Sequence, residues 1–242
     1  MNRTVRQGVS MRRLILSITV AAFALGAPVT ALAGPIIDWD PAYFYEVGAT
    51  PNNSNLGGQL FIVGTISVFG PPLDFLNASD PTKDYTFYVY GLVSNGTVIS
   101  SFPPYGNFFT TTYNGGTIEI YEGTPRDAVF DPFPPNANVP STFTNGTLIL
   151  SGTMTSFYWQ SNDFTLLKTG NAEGHILWTG GAYFNKVSHN NLPCPSLFTG
   201  GLTWRPSVMV DGYVFRHQGK MDLDCPTQAS PSTWGRVKTL YR

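Results

Sequence analysis

The sequence predicts an all-β protein, a single antiparallel β-barrel or β-sandwich of about ten strands behind a cleaved signal peptide. Segments in which apolar and polar residues alternate recur along the chain, and they are rich in β-branched and aromatic residues. Several of them follow an Asn-Gly dipeptide, which favours a tight turn. Charged residues make up only 12% of the chain, whereas 25 glycines and 19 prolines favour turns over helices.

The N-terminus has the three parts of a secretory leader. A basic start is followed by an apolar run over residues 14–27 and by the small-residue stretch Ala31-Leu32-Ala33. We therefore expect residues 1–33 to be a signal peptide that is cleaved after Ala33, and the mature protein to be periplasmic or secreted. Residues 34–242 contain no composition break or linker, which predicts one domain.

Removal of the leader changes the charge balance of the chain. The leader carries four arginines, so the mature chain has 10 basic and 15 acidic side chains. This excess of negative charge argues against nucleic acid as a partner. No later apolar run approaches 18 residues, so we expect no membrane span.

The first half of the mature chain contains three predicted strands. Residues 36–45 are predicted as an edge strand, and Gln59–Phe69 as a strand covered on both faces, because apolar residues occupy both sets of alternating positions. Gly64 interrupts the second strand and predicts a bulge or bend. Tyr85–Val93 is the third strand.

Three turn-then-strand units follow. Their turns are Asn95-Gly96, Asn114-Gly115-Gly116 and Asn145-Gly146, each predicted as a hairpin turn before a strand. The strand after the third turn, Thr147–Phe157, alternates most clearly. Between the second and third units, Gly123–Ser141 is a long proline-rich segment, interpreted either as a surface loop or as a functional flap.

The C-terminal part carries the only two cysteines, Cys194 and Cys225. In an oxidising compartment such a pair is expected to form a disulfide. The bridge would close a loop of about 30 residues and contribute about 3–4 kcal/mol to stability. Val208–Arg216 is predicted as the last strand, and 187–242 as either part of the domain or a disulfide-held extension.

Few residues indicate catalysis. Glu119, Glu122 and Asp127 lie near one strand end and the long loop, where two carboxylates across a cleft can hydrolyse a glycoside. The alternative is ordinary solubilising charge on an exposed face. The three histidines, His175, His189 and His217, fit no metal-binding spacing. We therefore predict no metal and no cofactor.

Aromatic residues are the more suggestive group for binding. They are Tyr88, Tyr90, Tyr105, Tyr121, Tyr158, Trp159, Trp178 and Trp204. Aromatic rings on a β surface can stack on sugars or line an apolar pocket, although core packing explains many of them equally well. Tyr158, Trp159 and Tyr121 are the candidate ligand-binding residues, the first two because they are predicted to lie in a polar loop directly after the clearest strand.

These features lead to three functional hypotheses. The first is an exported, non-enzymatic domain that binds a small molecule, a glycan or a protein partner through aromatic side chains. The second is a carbohydrate-active or other hydrolase that uses carboxylates near residues 119–131. The third is a structural or surface-assembly protein that associates through an uncovered sheet edge. The sequence leaves the oligomeric state open.

Overall fold

A computed structural model of the chain describes residues 35–130, 140–163, 168–189 and 192–224. It contains eleven strands: β1 Ile37–Tyr45, β2 Gln59–Phe69, β3 Asp84–Phe102, β4 Gly106–Asn114, β5 Thr117–Gly123, β6 Thr147–Asn162, β7 Lys168–Gly180, β8 Ser188–His189, β9 Leu192–Pro193, β10 Pro195–Trp204 and β11 Phe215–Leu223. One helical turn, α1 Ser141–Thr144, and one 3₁₀ turn, Phe184–Lys186, complete the regular structure of the described residues.

Eight strands close into an antiparallel barrel. Their order around the ring is β1, β2, β3, β4, β6, β7, β10 and β11, and β11 pairs back onto β1. Because neighbours in the ring also follow one another along the chain, this is an up-and-down barrel. The all-β fold is confirmed, as a barrel. The prediction of an edge strand at 36–45 is wrong, since β1 is paired on both sides.

The predicted hairpin at Asn114-Gly115-Gly116 is instead a bend within the wall. The ninth strand of the main sheet, β5, continues the path of β4, and both pair with β3 on one side and β6 on the other. Gly115 and Gly116 have φ angles of 70° and 112°, which other residues rarely adopt. The glycines thus supply the backbone freedom that a turn needs, but the chain bends there without reversing.

The other two Asn-Gly signals also mark something other than a hairpin turn. Asn95-Gly96 lies within β3, at a shift in the register between β3 and β4. Asn145-Gly146 separates the end of α1 from the start of β6. Such dipeptides therefore serve bulges and helix ends as well as hairpins.

The predicted strand at Val208–Arg216 is wrong over residues 208–214, and only its last two residues lie in a strand. Residues 205–214 form turns that cross the outside of the barrel, where Met209 and Val210 pack against its outer wall. The final strand is β11, which begins at Phe215. Both β10 and β11 belong to the barrel wall, although they lie in 187–242, the segment interpreted as a possible extension of the domain.

The interior of the barrel is filled by side chains. Trp39 stacks on Phe198 with 4.5 Å between ring centroids, and Phe87 meets Trp39 edge-on at 5.3 Å. Gly64 permits this packing, since a Cβ there would come within 2.3 Å of the Phe87 ring. At the level of Trp159, the remaining space is too small for a water molecule. An eight-stranded barrel is of the width that side chains can fill in this way.

A histidine lies in the middle of this apolar interior. The Trp39 indole Nε1–H donates a hydrogen bond to His217 Nδ1 at 3.1 Å, so the proton of the neutral ring is on Nε2. The imidazole stacks on Phe198 at 5.2 Å, and its Nε2 lies against Gly200. Burial lowers the pKa of His217 to about 3, although the Gly200 backbone acts in the opposite direction and raises this pKa.

Candidate functional site

Four aromatic side chains form a row across three adjacent strands on the outside of the barrel. They are Tyr45 on β1, Phe61 on β2, and Tyr88 and Tyr90 on β3; together they are the outer aromatic row. Successive ring centroids are 6.3, 6.3 and 5.0 Å apart, and the Phe61 and Tyr88 rings are parallel to within 6°. Tyr45 is buried, whereas the other three side chains are half-buried.

A carboxylate lies beside the open end of this row. Glu119 on β5 is directly opposite Tyr88 in the register of the sheet. The Tyr90 hydroxyl donates to Glu119 Oε1 at 3.3 Å, and the Tyr121 hydroxyl donates to Oε2 at 2.7 Å. None of the ion pairs found in the described residues includes Glu119. Its charge is therefore held by phenol groups rather than by a cation.

The tyrosines around Glu119 remain hydrogen-bond donors at neutral pH. Burial raises the pKa of Tyr88 to about 12, and the neighbouring Tyr90 and Glu119 add to this effect. Burial also raises the pKa of Tyr121, as does its hydrogen bond to Glu119. A phenol that stays protonated keeps Glu119 as an acceptor with free lone pairs. The site thus combines aromatic rings, donors and an acceptor.

One end of the outer aromatic row is covered by loops. Tyr43 and Tyr213 are in ring contact at 5.1 Å, and Phe130 contacts Tyr43 at 4.9 Å and Phe143 at 5.0 Å. These residues come from β1, the segment before β11, the long loop and α1, and they form a second apolar cluster. The described part of the long loop therefore packs on the barrel wall and bounds the row on one side.

The three candidate catalytic carboxylates have different partners. Glu119 bonds to tyrosines, Glu122 forms an ion pair with Lys83, and Asp127 accepts hydrogen bonds from the Asn145 side chain at 2.9 and 3.2 Å. Glu119 lies opposite the outward-facing Tyr88, whereas Glu122 lies opposite the inward-facing Tyr85. Glu119 and Glu122 therefore project from opposite faces of the wall.

Tyr158 and Trp159 do not lie in a loop but inside β6, so they also point to opposite faces. Trp159 is buried in the barrel and donates from Nε1 to the Tyr113 hydroxyl at 2.8 Å. Tyr158 is half-buried on the outer wall, where its hydroxyl lies 3.4 Å from Glu173 Oε2. Of the three candidate ligand-binding residues, Tyr121 is the one beside the outer aromatic row.

A buried polar cluster that the sequence did not reveal closes one end of the barrel. Glu46 accepts hydrogen bonds from the Ser54 hydroxyl at 2.6 Å and from the Tyr113 hydroxyl at 2.7 Å. The Ser54 and Ser94 hydroxyls are also 2.6 Å apart. Every member is nine-tenths or more buried. Its bonds are internal, so the cluster fixes the β1–β2 loop across the barrel end.

A polar cleft of about 350 Å³ opens beside the long loop, lined in part by Lys83, Asp84 and Arg126. Asp84 is buried, and its Oδ2 accepts from the backbone N–H groups of Asp127 and Ala128 at 3.0 and 2.8 Å. This carboxylate holds the long loop against the barrel. Its other oxygen, Oδ1, is buried without a hydrogen-bond partner among the described residues, so the contact with the loop uses only one oxygen of the carboxylate.

Of the two predicted disulfide cysteines, the structure describes only the first. Cys194 is buried just before β10, while Cys225 lies outside the described residues, so their pairing stays a prediction. Within the described ranges, no three histidine, cysteine or carboxylate side chains gather closely enough to hold a metal ion. No helix among the described residues is both long and apolar enough to cross a membrane.

Comparison with protein-family models, curated proteins and solved structures finds no match to this chain. Its function is therefore inferred from the geometry of the outer wall.

Proposed function

We propose that this protein is an exported, non-enzymatic binding domain whose ligand site is the outer aromatic row with Glu119. The observation that carries the proposal is the half-exposed run of Phe61, Tyr88 and Tyr90 beside a carboxylate that two phenols hold in place. A filled barrel interior supports the outer wall, rather than the lumen, as the binding surface.

A glycan is the ligand that suits this chemistry best. Pyranose rings have an apolar face that stacks on aromatic side chains, and their hydroxyls donate to carboxylates. Phe61, Tyr88 and Tyr90 offer aromatic rings in a line, and Glu119 offers acceptor lone pairs at its end. Because Tyr45 is buried, a ligand would contact the row from Phe61 to Tyr90 and would not extend over Tyr45.

Export is part of the proposal and predicts the oxidising conditions in which Cys194 and Cys225 would pair. The register of β10 with β11 supports this pair, because the Asp224 backbone N–H donates to the Pro195 carbonyl at 2.8 Å. This described pair lies one residue after Cys194 and one residue before Cys225 in the sequence.

The binding proposal can be tested with the protein as the producing cell releases it. A glycan array identifies ligands, and isothermal titration calorimetry then measures their affinity for wild type, Tyr88→Ala and Tyr90→Ala. Loss of one stacking ring should weaken binding about tenfold, which corresponds to about 1.4 kcal/mol. Glu119→Gln keeps the shape of the side chain and should weaken binding by a similar factor, because it removes charge-assisted hydrogen bonds.

Tyr158→Ala is the matched control. Tyr158 is also an outer-wall tyrosine beside a glutamate, yet it lies away from the outer aromatic row, so its loss should leave affinity unchanged. The proposal is wrong if no glycan binds, or if the Tyr88 and Tyr90 variants bind as well as Tyr158→Ala does.

A further inference from the structure

The hairpin of β3 and β4 carries a free strand edge. Along one edge, β3 pairs with β2 only as far as Val93. Along its other edge, β3 pairs with β4 as far as Phe102. The backbone of the β1–β2 loop bonds to Ser94, through Gly57 and Gly58. In the described part of the chain, no strand pairs with the other side of residues 98–102.

The direction of the free backbone groups follows from Asn107. Its N–H donates to Asp163 Oδ1 at 2.6 Å, and its carbonyl accepts from the Asp163 N–H at 3.3 Å, so both groups point away from β3. Its partner in the register is Ser101. Ser101 therefore points its own N–H and C=O away from β4, and by alternation Ile99 does the same.

Three of the five side chains along this edge are apolar and open to solvent, as is Tyr105 in the adjoining turn. The exposed fractions are 67% for Val98, 60% for Ile99, 53% for Phe102 and 74% for Tyr105. Residues 85–118 contain no charged side chain and no histidine. Charged residues are the usual protection of an exposed edge against pairing with another chain, and this edge has none.

We infer that this edge pairs with the same edge of a second copy of the chain, antiparallel and centred on Ser100. This register places Ile99 of each copy opposite Ser101 of the other, which gives four backbone hydrogen bonds. It also places Val98 of each copy opposite Phe102 of the other, on the face that Ser100 occupies. An aromatic residue beside a β-branched one is a favourable cross-strand pair.

The neighbouring registers are less suitable. A pairing centred on Ile99 would need the edge at Thr97, which the β1–β2 loop occupies through the hydrogen bond from the Ser54 N–H to Thr97 Oγ1 at 2.7 Å. A pairing centred on Ser101 would need a donor at Pro103, which has no N–H. The pairing is self-complementary and uses up this edge, so it forms a dimer rather than a filament. It is independent of the outer aromatic row and its ligand.

Cysteine cross-linking tests the register. At the two-fold axis, Ser100 faces its own copy with about 4.5 Å between Cα atoms, within reach of a disulfide. Ser100→Cys should therefore give a covalent dimer under mild oxidation. Ser101→Cys is the matched control, because its two copies are diagonal neighbours about 7–8 Å apart and should cross-link much less. Equal cross-linking of the two variants would overturn the register.

Sedimentation tests the association itself. The released wild-type chain should show a reversible monomer–dimer equilibrium in the micromolar range, as expected for a small interface. Ser101→Pro removes an N–H that the monomer does not use, and proline is tolerated at such an edge position. It should raise the dissociation constant at least tenfold while the circular dichroism spectrum stays unchanged. A purely monomeric wild type, or a Ser101→Pro dimer as tight as wild type, refutes the inference.

Discussion

The buried imidazole of His217 predicts a specific dependence of stability on pH. In the folded barrel the pKa of His217 is about 3, whereas in an unfolded chain a histidine titrates near 6.5. Above pH 6.5 both states hold a neutral ring, and the full stability is present. Between pH 6.5 and 3 only the unfolded state binds the extra proton, so stability falls with pH by about 1.4 kcal/mol per pH unit.

By pH 4 the loss from this one residue should reach about 3 kcal/mol, a large fraction of the 5–15 kcal/mol typical of folded domains. Chemical denaturation at pH 7, 5.5 and 4 measures it, with wild type compared with His217→Asn. Asparagine does not titrate but keeps an acceptor for the Trp39 indole. The cavity that it leaves lowers stability equally at every pH, so the difference in slope isolates the proton.

His175→Asn serves as the control, because His175 is exposed on the outer wall and should leave the wild-type slope unchanged. If wild type and His217→Asn lose stability in parallel between pH 7 and 4, the ring is not buried in neutral form and the described packing of the barrel interior is incorrect.

Two further predictions concern packing and the C-terminal strands. Gly64→Ala would place a methyl group 2.3 Å from the Phe87 ring and should lower the free energy of unfolding by about 1–3 kcal/mol. Gly201→Ala is the control, because the added methyl group meets no atom within 4 Å, and it should lower that free energy by less than about 1 kcal/mol. Equal effects of the two variants in thermal or chemical unfolding would contradict the close packing of β2 against β3. Cys225→Ser should lower the free energy of unfolding by about 3–4 kcal/mol and leave Cys194 reactive to thiol reagents after denaturation. Two reactive thiols in the denatured wild-type chain would rule out the disulfide.

Local patterns are sufficient for the fold class but not for every strand. β11 escapes prediction because its inward-facing positions include His217 and Gly219, which do not continue an apolar pattern. The reason for these residues is clear only from their neighbours in the barrel, since Gly219 leaves room for the Trp39 ring. Conversely, Met209 and Val210 lie in a segment that alternates like a strand, although they pack as a loop on a sheet face.

The binding site is only partly predictable for a similar reason. The sequence points to Tyr121 and Glu119, but the row itself depends on the register between β1, β2 and β3, which the sequence does not specify. Adjacency along the chain is misleading for Tyr158 and Trp159, because consecutive strand residues face opposite sides. Spacing by two positions, as in Tyr88 and Tyr90, is the more informative signal.

The pairing of the first wall strand with the last has a consequence for how the protein is made. Trp39 and His217 are 178 positions apart in the sequence, so the ring cannot close before β11 has been synthesised. Contacts of such long range slow folding, because the entropy of loop closure is lost before they form. A chain that stops before Phe215 would leave β1 and β10 with unpaired edges. A stop codon anywhere before Phe215 should therefore prevent closure of the barrel.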